Sequence, residues 1–195
     1  MNNTILLDIG SGGETTLTGS LIISASATSQ SLSVIGSGST VFDVIGSAGT
    51  LFSVDDDLTG MLFTTNDISG LPILQASASG ELWLGKSPQS LYTTAVISAT
   101  SASATASVYA LSTSSYDGAF FDYTISSASN AHAGSIMSIW NGETINYTDT
   151  ATTDIGSTAG IDLQVVISAS QAQLIAITDS TDPNIWKVKT IIRSI

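Results

Sequence analysis

No cysteine occurs in the 195 residues, so disulfides, thiolate nucleophiles and cysteine-ligated zinc sites are excluded. Stability must then come from a good core or from oligomerisation. Cations are almost as scarce: Lys86, Lys187, Lys189 and Arg193 stand against 16 acids, for a net charge of −12. Neutralising phosphates takes clustered Lys and Arg, so nucleic acid and anionic membranes are poor partners. The acidic excess favours solubility of an assembly. Charged residues make up 10% of the chain, against about 25% in an ordinary soluble domain. Ser, Thr, Gly and Ala fill the deficit. With a mean hydropathy of +0.35, that composition points to a surface hidden against copies of the same chain. No run approaches the about 18 apolar residues of a membrane span, so no membrane insertion is expected. Met1-Asn2-Asn3-Thr4 has no basic character and no continuous apolar stretch follows it, so no secretory signal is expected.

Catalytic constellations are also lacking. His132 is the single histidine, and no Gly-x-Ser-x-Gly elbow accompanies it. One histidine leaves no histidine-rich metal site, and a loop position in Ser129-Asn130-Ala131-His132-Ala133-Gly134 is the reading favoured. Gly10-Ser11-Gly12-Gly13 lacks the Gly-Lys-Ser/Thr ending of a phosphate loop and precedes no helical pattern, so it reads as a turn. Asp117 with Asp122, and Glu143 with Asp149, are carboxylate pairs of the kind glycosidases use, but a chain with 16 acids supplies such pairs by chance. Asp55-Asp56-Asp57 is the one acidic run and the one candidate Ca²⁺ site. It lacks the alternating spacing and distal Glu of a calcium loop, so a solvated turn is favoured. No enzymatic activity and no cofactor are expected.

What the chain does contain is a repeat. Thr40-Val41-Phe42-Asp43-Val44-Ile45-Gly46, Thr50-Leu51-Phe52-Ser53-Val54-Asp55-Asp56 and Met61-Leu62-Phe63-Thr64-Thr65-Asn66-Asp67 align, with Phe42, Phe52 and Phe63 spaced by 10 and 11 residues. The rhythm extends to Ile22, Leu32, Ile73 and Trp83, and to Gly36, Gly46, Gly60, Gly70 and Gly80. Each unit is a short apolar or β-branched run closed by Gly, Ser, Asp or Asn, which reads as a strand and a turn. One strand of roughly 5–6 residues per unit encloses no core alone, so neighbouring units or other chains must complete it. Either a single-chain solenoid or a three-chain prism satisfies this. In the prism, Phe42, Phe52, Phe63, Ile73 and Trp83 point at a shared axis. Low charge and the lack of a polar cap favour the prism.

The rhythm stops near Lys86-Ser87-Pro88. Thr93 to Ser107 is low in complexity and reads as a linker or a loosely packed first strand. Seven longer strands follow: Val108–Ser112, Ala119–Ser126, Gly134–Asn141, Thr144–Thr150, Ile161–Ser168, Gln171–Thr178 and Asn184–Ile195. Phe121, Tyr123 and Ile125 share one face, as do Ile185, Lys187 and Lys189. Asn141-Gly142 and Asp117-Gly118 are turn signals. The fold class is therefore all-β. A 1–20 arm and a 21–90 repeat shaft, trimeric prism or solenoid-like, precede a 91–195 β-sandwich or jelly-roll-like knob. The arm rests on Ile5-Leu6-Leu7-Asp8-Ile9, a strand without an obvious local partner. Most of the aromatic mass lies in the knob, where packing is its first role. Tyr116, Trp140 and Tyr147 are candidates for stacking on a sugar face.

Val41 to Ser47, Leu51 to Gly60 and Asn66-Asp67-Ile68-Ser69-Gly70-Leu71-Pro72-Ile73-Leu74 together resemble a module of structural proteins in marine and cyanobacterial tailed phages. Tyr116 to Tyr123, Gly134-Ser135-Ile136-Met137, Trp140-Asn141-Gly142 and the Trp186 to Arg193 ending resemble a C-terminal domain of phage fibre-type proteins. The resemblance covers roughly three-quarters of the chain and implies a homotrimeric virion component, a shaft with a globular tip. The resemblance does not fix where on the virion the chain sits; the virion surface is the place expected, with other virion proteins as neighbours, and the exposed aromatics of the tip make host surface polysaccharide a candidate ligand. A capsid decoration or head fibre that stabilises the particle without binding a receptor is the alternative role.

Overall fold

The computed structural model describes residues 34–35, 38–57, 59–87, 89–99, 104–179, 182 and 184–195. The expected 1–20 arm, the Gly10–Gly13 turn and the repeat positions Ile22, Leu32 and Gly36 lie outside them. Thirteen strands and no helix are found among the described residues. They are β1 (Thr40–Gly46), β2 (Gly49–Asp55), β3 (Met61–Asn66), β4 (Pro72–Ser77), β5 (Leu82–Leu84), β6 (Ser90–Ala99), β7 (Thr105–Ser112), β8 (Gly118–Ser127), β9 (Asn130–Asn141), β10 (Thr144–Ala151), β11 (Ile161–Ser168), β12 (Gln171–Thr178) and β13 (Trp186–Ser194).

Ten of these form one antiparallel sheet in the order β1-β2-β3-β4-β5-β6-β13-β8-β9-β10, and β11-β12-β7 form a second. Successive repeats thus run as a meander of hairpins in one sheet, not as the sides of a coil. The expected shaft boundary at residue 90 falls where β6 begins. The ladder continues across it, Leu82 opposite Tyr92 and Leu84 opposite Ser90. β6 occupies much of the stretch expected to be a linker. The last strand, β13, enters the middle of the large sheet between β6 and β8.

Turn chemistry explains the ten-residue period. Asp67, Ser69 and Gly70, and again Ser77, Ser79 and Gly80, build two hairpins of one design. The glycine N–H closes a tight turn on the carbonyl of Asp67 or Ser77, at 3.0 and 3.1 Å. Gly70 and Gly80 then take φ of +81° and +85°, the left-handed step that a three-residue hairpin loop requires. The first residue of each motif caps its own loop. Asp67 Oδ1 accepts the Ser69 N–H at 2.9 Å and the Leu71 N–H at 3.1 Å, and Ser77 Oγ accepts the Glu81 N–H at 3.3 Å.

The small sheet packs on one side of β6, β13, β8, β9 and β10, and strict alternation builds the core between them. Phe121, Tyr123 and Ile125 from β8, Ile136 and Trp140 from β9, and Trp186, Val188 and Ile192 from β13 meet Leu163, Val165, Leu174 and Leu111. Each such side chain contributes about 1.5–3 kcal/mol by leaving water. Lys187 and Lys189 fall on the opposite side, as their alternation requires. In the low-complexity stretch the inward residues are small or branched (Leu91, Thr93, Ala95 and Ile97). This is a true strand with weak hydrophobic contrast. The tyrosine hydroxyl of Tyr109 donates to Glu81 at 2.9 Å and ties the last meander turn to the small sheet. Beyond that tie the meander changes character. No residue of β1 to β5 is buried.

Candidate interaction surface

Register decides which side of the large sheet each repeat residue occupies. Phe42 lies opposite Val54, Val44 opposite Phe52, and Phe63 opposite Val54. The three phenylalanines therefore share the side turned away from the small sheet, the open side. Their rings touch edge to face, with centroids 5.8 and 5.1 Å apart. Ile73 and Trp83 do not join them. Leu74 opposes Thr65 and Leu84 opposes Leu74, so Leu74, Leu82 and Leu84 continue the Phe row. Ile73 and Trp83 point to the other side, where Trp83 packs against the sandwich core. The five residues expected on one axis are thus divided three and two between the sides.

Both sides of the meander carry large apolar side chains open to solvent. Phe42 is 40% exposed and Val44 43% on one side, Leu62 38% and Ile73 37% on the other. The open side continues across the sandwich strands through Tyr92, Val96, Ile191, Met137 and Ile139, all exposed. Phe120, Met137, Ile139 and Ile195 line a shallow cleft of about 420 Å³ there. Arg193 sits over the Phe120 ring at 5.0 Å and pairs with Asp122 at 3.0 Å, while Ser135 Oγ donates to the same carboxylate at 2.7 Å.

Of the aromatics expected to meet a sugar, Trp140 is 4% exposed and donates its indole N–H to the Tyr116 carbonyl. Alternation along β9 places it inward with Ile136, so it serves the core and offers no face for stacking. Tyr116 is half-buried against that core. Tyr147 keeps 37% of its surface. The acidic run begins at the end of β2, which Asp55 closes. Asp55 accepts the Thr40 hydroxyl at 2.6 Å and the Ser53 hydroxyl at 3.2 Å, and Asp57 accepts the Thr59 N–H at 2.9 Å. That backbone bond, with the Thr59 hydroxyl, holds the Asp57 carboxyl below its usual range. Among the described residues no group of three His, Asp or Glu side chains is arranged to hold a metal.

His132 does not lie in a loop, as its sequence setting suggests, but in β9. Its Nδ1 is 3.5 Å from Asp154 and its ring is edge-on to Tyr123 at 5.6 Å. No hydrogen-bond partner reaches that nitrogen among the described residues. Tyr123 donates to both oxygens of Asp149, at 3.0 and 2.9 Å. Burial, and then the Asp149 carboxylate, push the Tyr123 hydroxyl well above the usual tyrosine pKa. Each of the two carboxylate pairs that the sequence offers by chance has a member committed elsewhere, Asp122 to Arg193 and Asp149 to Tyr123. Sequence reasoning had no hold on the open-side apolar row beyond Phe63, because its alternation is legible only once hairpin registers are known. Comparison with protein-family models, curated proteins and solved structures finds no match.

Proposed function

We propose that this chain is a non-enzymatic structural subunit of a phage virion. It assembles as a homotrimeric fibre or spike on the particle surface, with its β1–β5 meander as shaft and its eight-stranded sandwich as host-facing knob. One observation carries the reading: a five-stranded meander with large apolar side chains on both sides and no buried residue. Among the described residues of one chain nothing covers these apolar sides, and sister chains are the simplest cover. If each of Phe42, Phe52 and Phe63 loses about 70 Å² on assembly, the gain is about 1.7 kcal/mol per ring, or about 5 per chain. That is comparable to the whole net stability of a small domain, about 5–15 kcal/mol.

The low charge and the segments resembling phage fibre proteins support the virion setting. The exposed Tyr147 and the open cleft beside Phe120 support the knob as the part that meets host polysaccharide. Immunogold labelling of purified particles that carry this chain tests the reading. Label at the particle surface is the expected result, with a head-shell location favouring capsid decoration and a tail location a fibre. Absence of the chain from purified particles overturns it.

A further inference from the structure

The few cations of this acidic chain are not scattered. Lys86 pairs with Asp67 at 3.3 Å. The other three, Lys187, Lys189 and Arg193, stand on the open side of β13 at the centre of the large sheet. Arg193 pairs with Asp122 through Nη2 at 3.0 Å. Lys187 and Lys189 differ, because their cross-strand partners are Ser98 and Val96 on β6 and Ser126 and Thr124 on β8. Asp122 is the single acid that any described strand of the large sheet presents on this side, since the registers place Asp43, Asp55 and Asp149 on the other. Two residues apart on a strand, the lysine Cα atoms are about 7 Å from each other, inside the screening length of about 8 Å. Asp122 lies one diagonal step from Lys189 but is paired with Arg193, and no other acid of the neighbouring strands faces the two lysines.

Area and symmetry narrow what covers this side. Ten strands spaced by about 4.8 Å and about 20 Å long present about 900–1,000 Å², and the five sandwich strands alone about half of that. A stable interface takes about 800 Å² per partner; a five-strand contact supplies about half of that, and a closed ring gives each copy two such contacts. A two-fold, face-to-face contact sets this side against itself, and the one acid its described strands present, Asp122, is already paired with Arg193. A head-to-tail contact sets the lysines against a different surface of the next copy. The other side of the meander is such a surface, with Asp43 and Asp55 standing among exposed Leu51 and Leu62.

We propose that the open side of the large sheet is the docking face for a second copy of this chain, applied head to tail. Lys187 and Lys189 receive the carboxylates of the neighbour's meander, Asp43 and Asp55 foremost. The inference rests on the self-assembly reading above and adds to it the polarity of the contact and its ion pairs. A head-to-tail contact that closes after three copies gives the trimer.

The test uses the full chain. Carbodiimide coupling joins lysines to carboxylates in direct contact, and mixed light and isotope-labelled chains separate links between copies from links within one. The expected products join Lys187 or Lys189 to residues 43–57 of another copy. Lys187→Glu with Lys189→Glu should raise the half-dissociation concentration at least tenfold, and adding Asp43→Lys should restore much of the loss. Dissociation of the wild type should be promoted by about 1 M salt, which shortens screening to about 3 Å. A charge-reversed chain that assembles like wild type at every salt concentration overturns the docking face while leaving self-assembly standing. A wild-type chain that never assembles overturns both. Tryptophan emission checks that the variants stay folded, since both lysines are exposed.

Discussion

Gly134 of β9 lies directly opposite Tyr123 of β8, and the tyrosine ring covers it. A methyl group there would stand 2.5 Å from the Tyr123 hydroxyl oxygen, 2.6 Å from Cζ and 2.9 Å from the Thr150 carbonyl oxygen. Tyr123 is 3% exposed and donates to Asp149, so it cannot swing aside without leaving the core or losing that bond. Overpacking costs about 1–3 kcal/mol and a lost hydrogen bond to a charged group about 1.5–3 kcal/mol. Relief of glycine's backbone entropy returns about 0.5–1 kcal/mol. Gly134→Ala should therefore destabilise the chain by about 2–4 kcal/mol, lowering the melting point by about 4–16 °C at about 2–4 °C per kcal/mol. Urea unfolding followed by tryptophan emission at one fixed protomer concentration measures this. In a Tyr123→Leu background the same substitution should cost about 1–2 kcal/mol less, because the ring it strikes is gone. A Gly134→Ala chain within about 0.5 kcal/mol of wild type, or an equal cost in both backgrounds, refutes the packing argument.

Ala169 and Ser170 form the two-residue β11–β12 loop at φ of +50° and +62°, angles that suit Asn-Gly. Ala169→Asn with Ser170→Gly should stabilise by about 1 kcal/mol, and an unchanged or lower urea midpoint would contradict that. The Ser69 hydroxyl and the Leu71 and Ser69 N–H groups, with Lys86 beside them, pull the Asp67 carboxyl down to about 2. Its folded pKa lies below the unfolded value of about 3.9. The turn's contribution is thus fully present above about pH 4 and is lost as the pH falls through about 2. Asp67→Asn should flatten stability over that window, and an Asp67 carbon-13 titration centred near 4 would count against the capping geometry. Phe52→Ala should leave the isolated subunit folded but raise its half-assembly concentration more than about tenfold, since a ring newly covered on assembly is worth about 1.7 kcal/mol. Unchanged assembly in light scattering would show that the Phe row stays wet.

The elements with strong side-chain contrast were legible in the sequence. Ile161-Leu163-Val165 and Leu174-Ala176 alternate against polar neighbours, and β11 and β12 have their expected bounds. Phe121, Tyr123 and Ile125 share the buried face that their spacing implies. Where contrast fades, so did the reading: β6 turns Thr93 and Ala95 inward, residues that resemble any Ser/Thr/Ala linker. The Ile73 and Trp83 misplacement has a different cause. A ten-residue step preserves the face across β1–β2, but the registers of β2–β3 and β3–β4 each require an odd step. Phe63 satisfies it at 11 residues and Ile73, at 10, does not. Asp117-Gly118, expected as a turn, instead leads into β8, both N–H groups donating to the Ile195 carbonyl across the sheet. That partner lies 77 residues away and leaves no local signal.

The account stands or falls on whether sister chains cover the apolar sides of the meander. Light scattering coupled to gel filtration, over a wide range of protein concentration, measures that directly. The predicted mass is three times the 19.9 kDa of one chain. A single species at the one-chain mass throughout, with Phe42, Phe52 and Phe63 left in water, would contradict it.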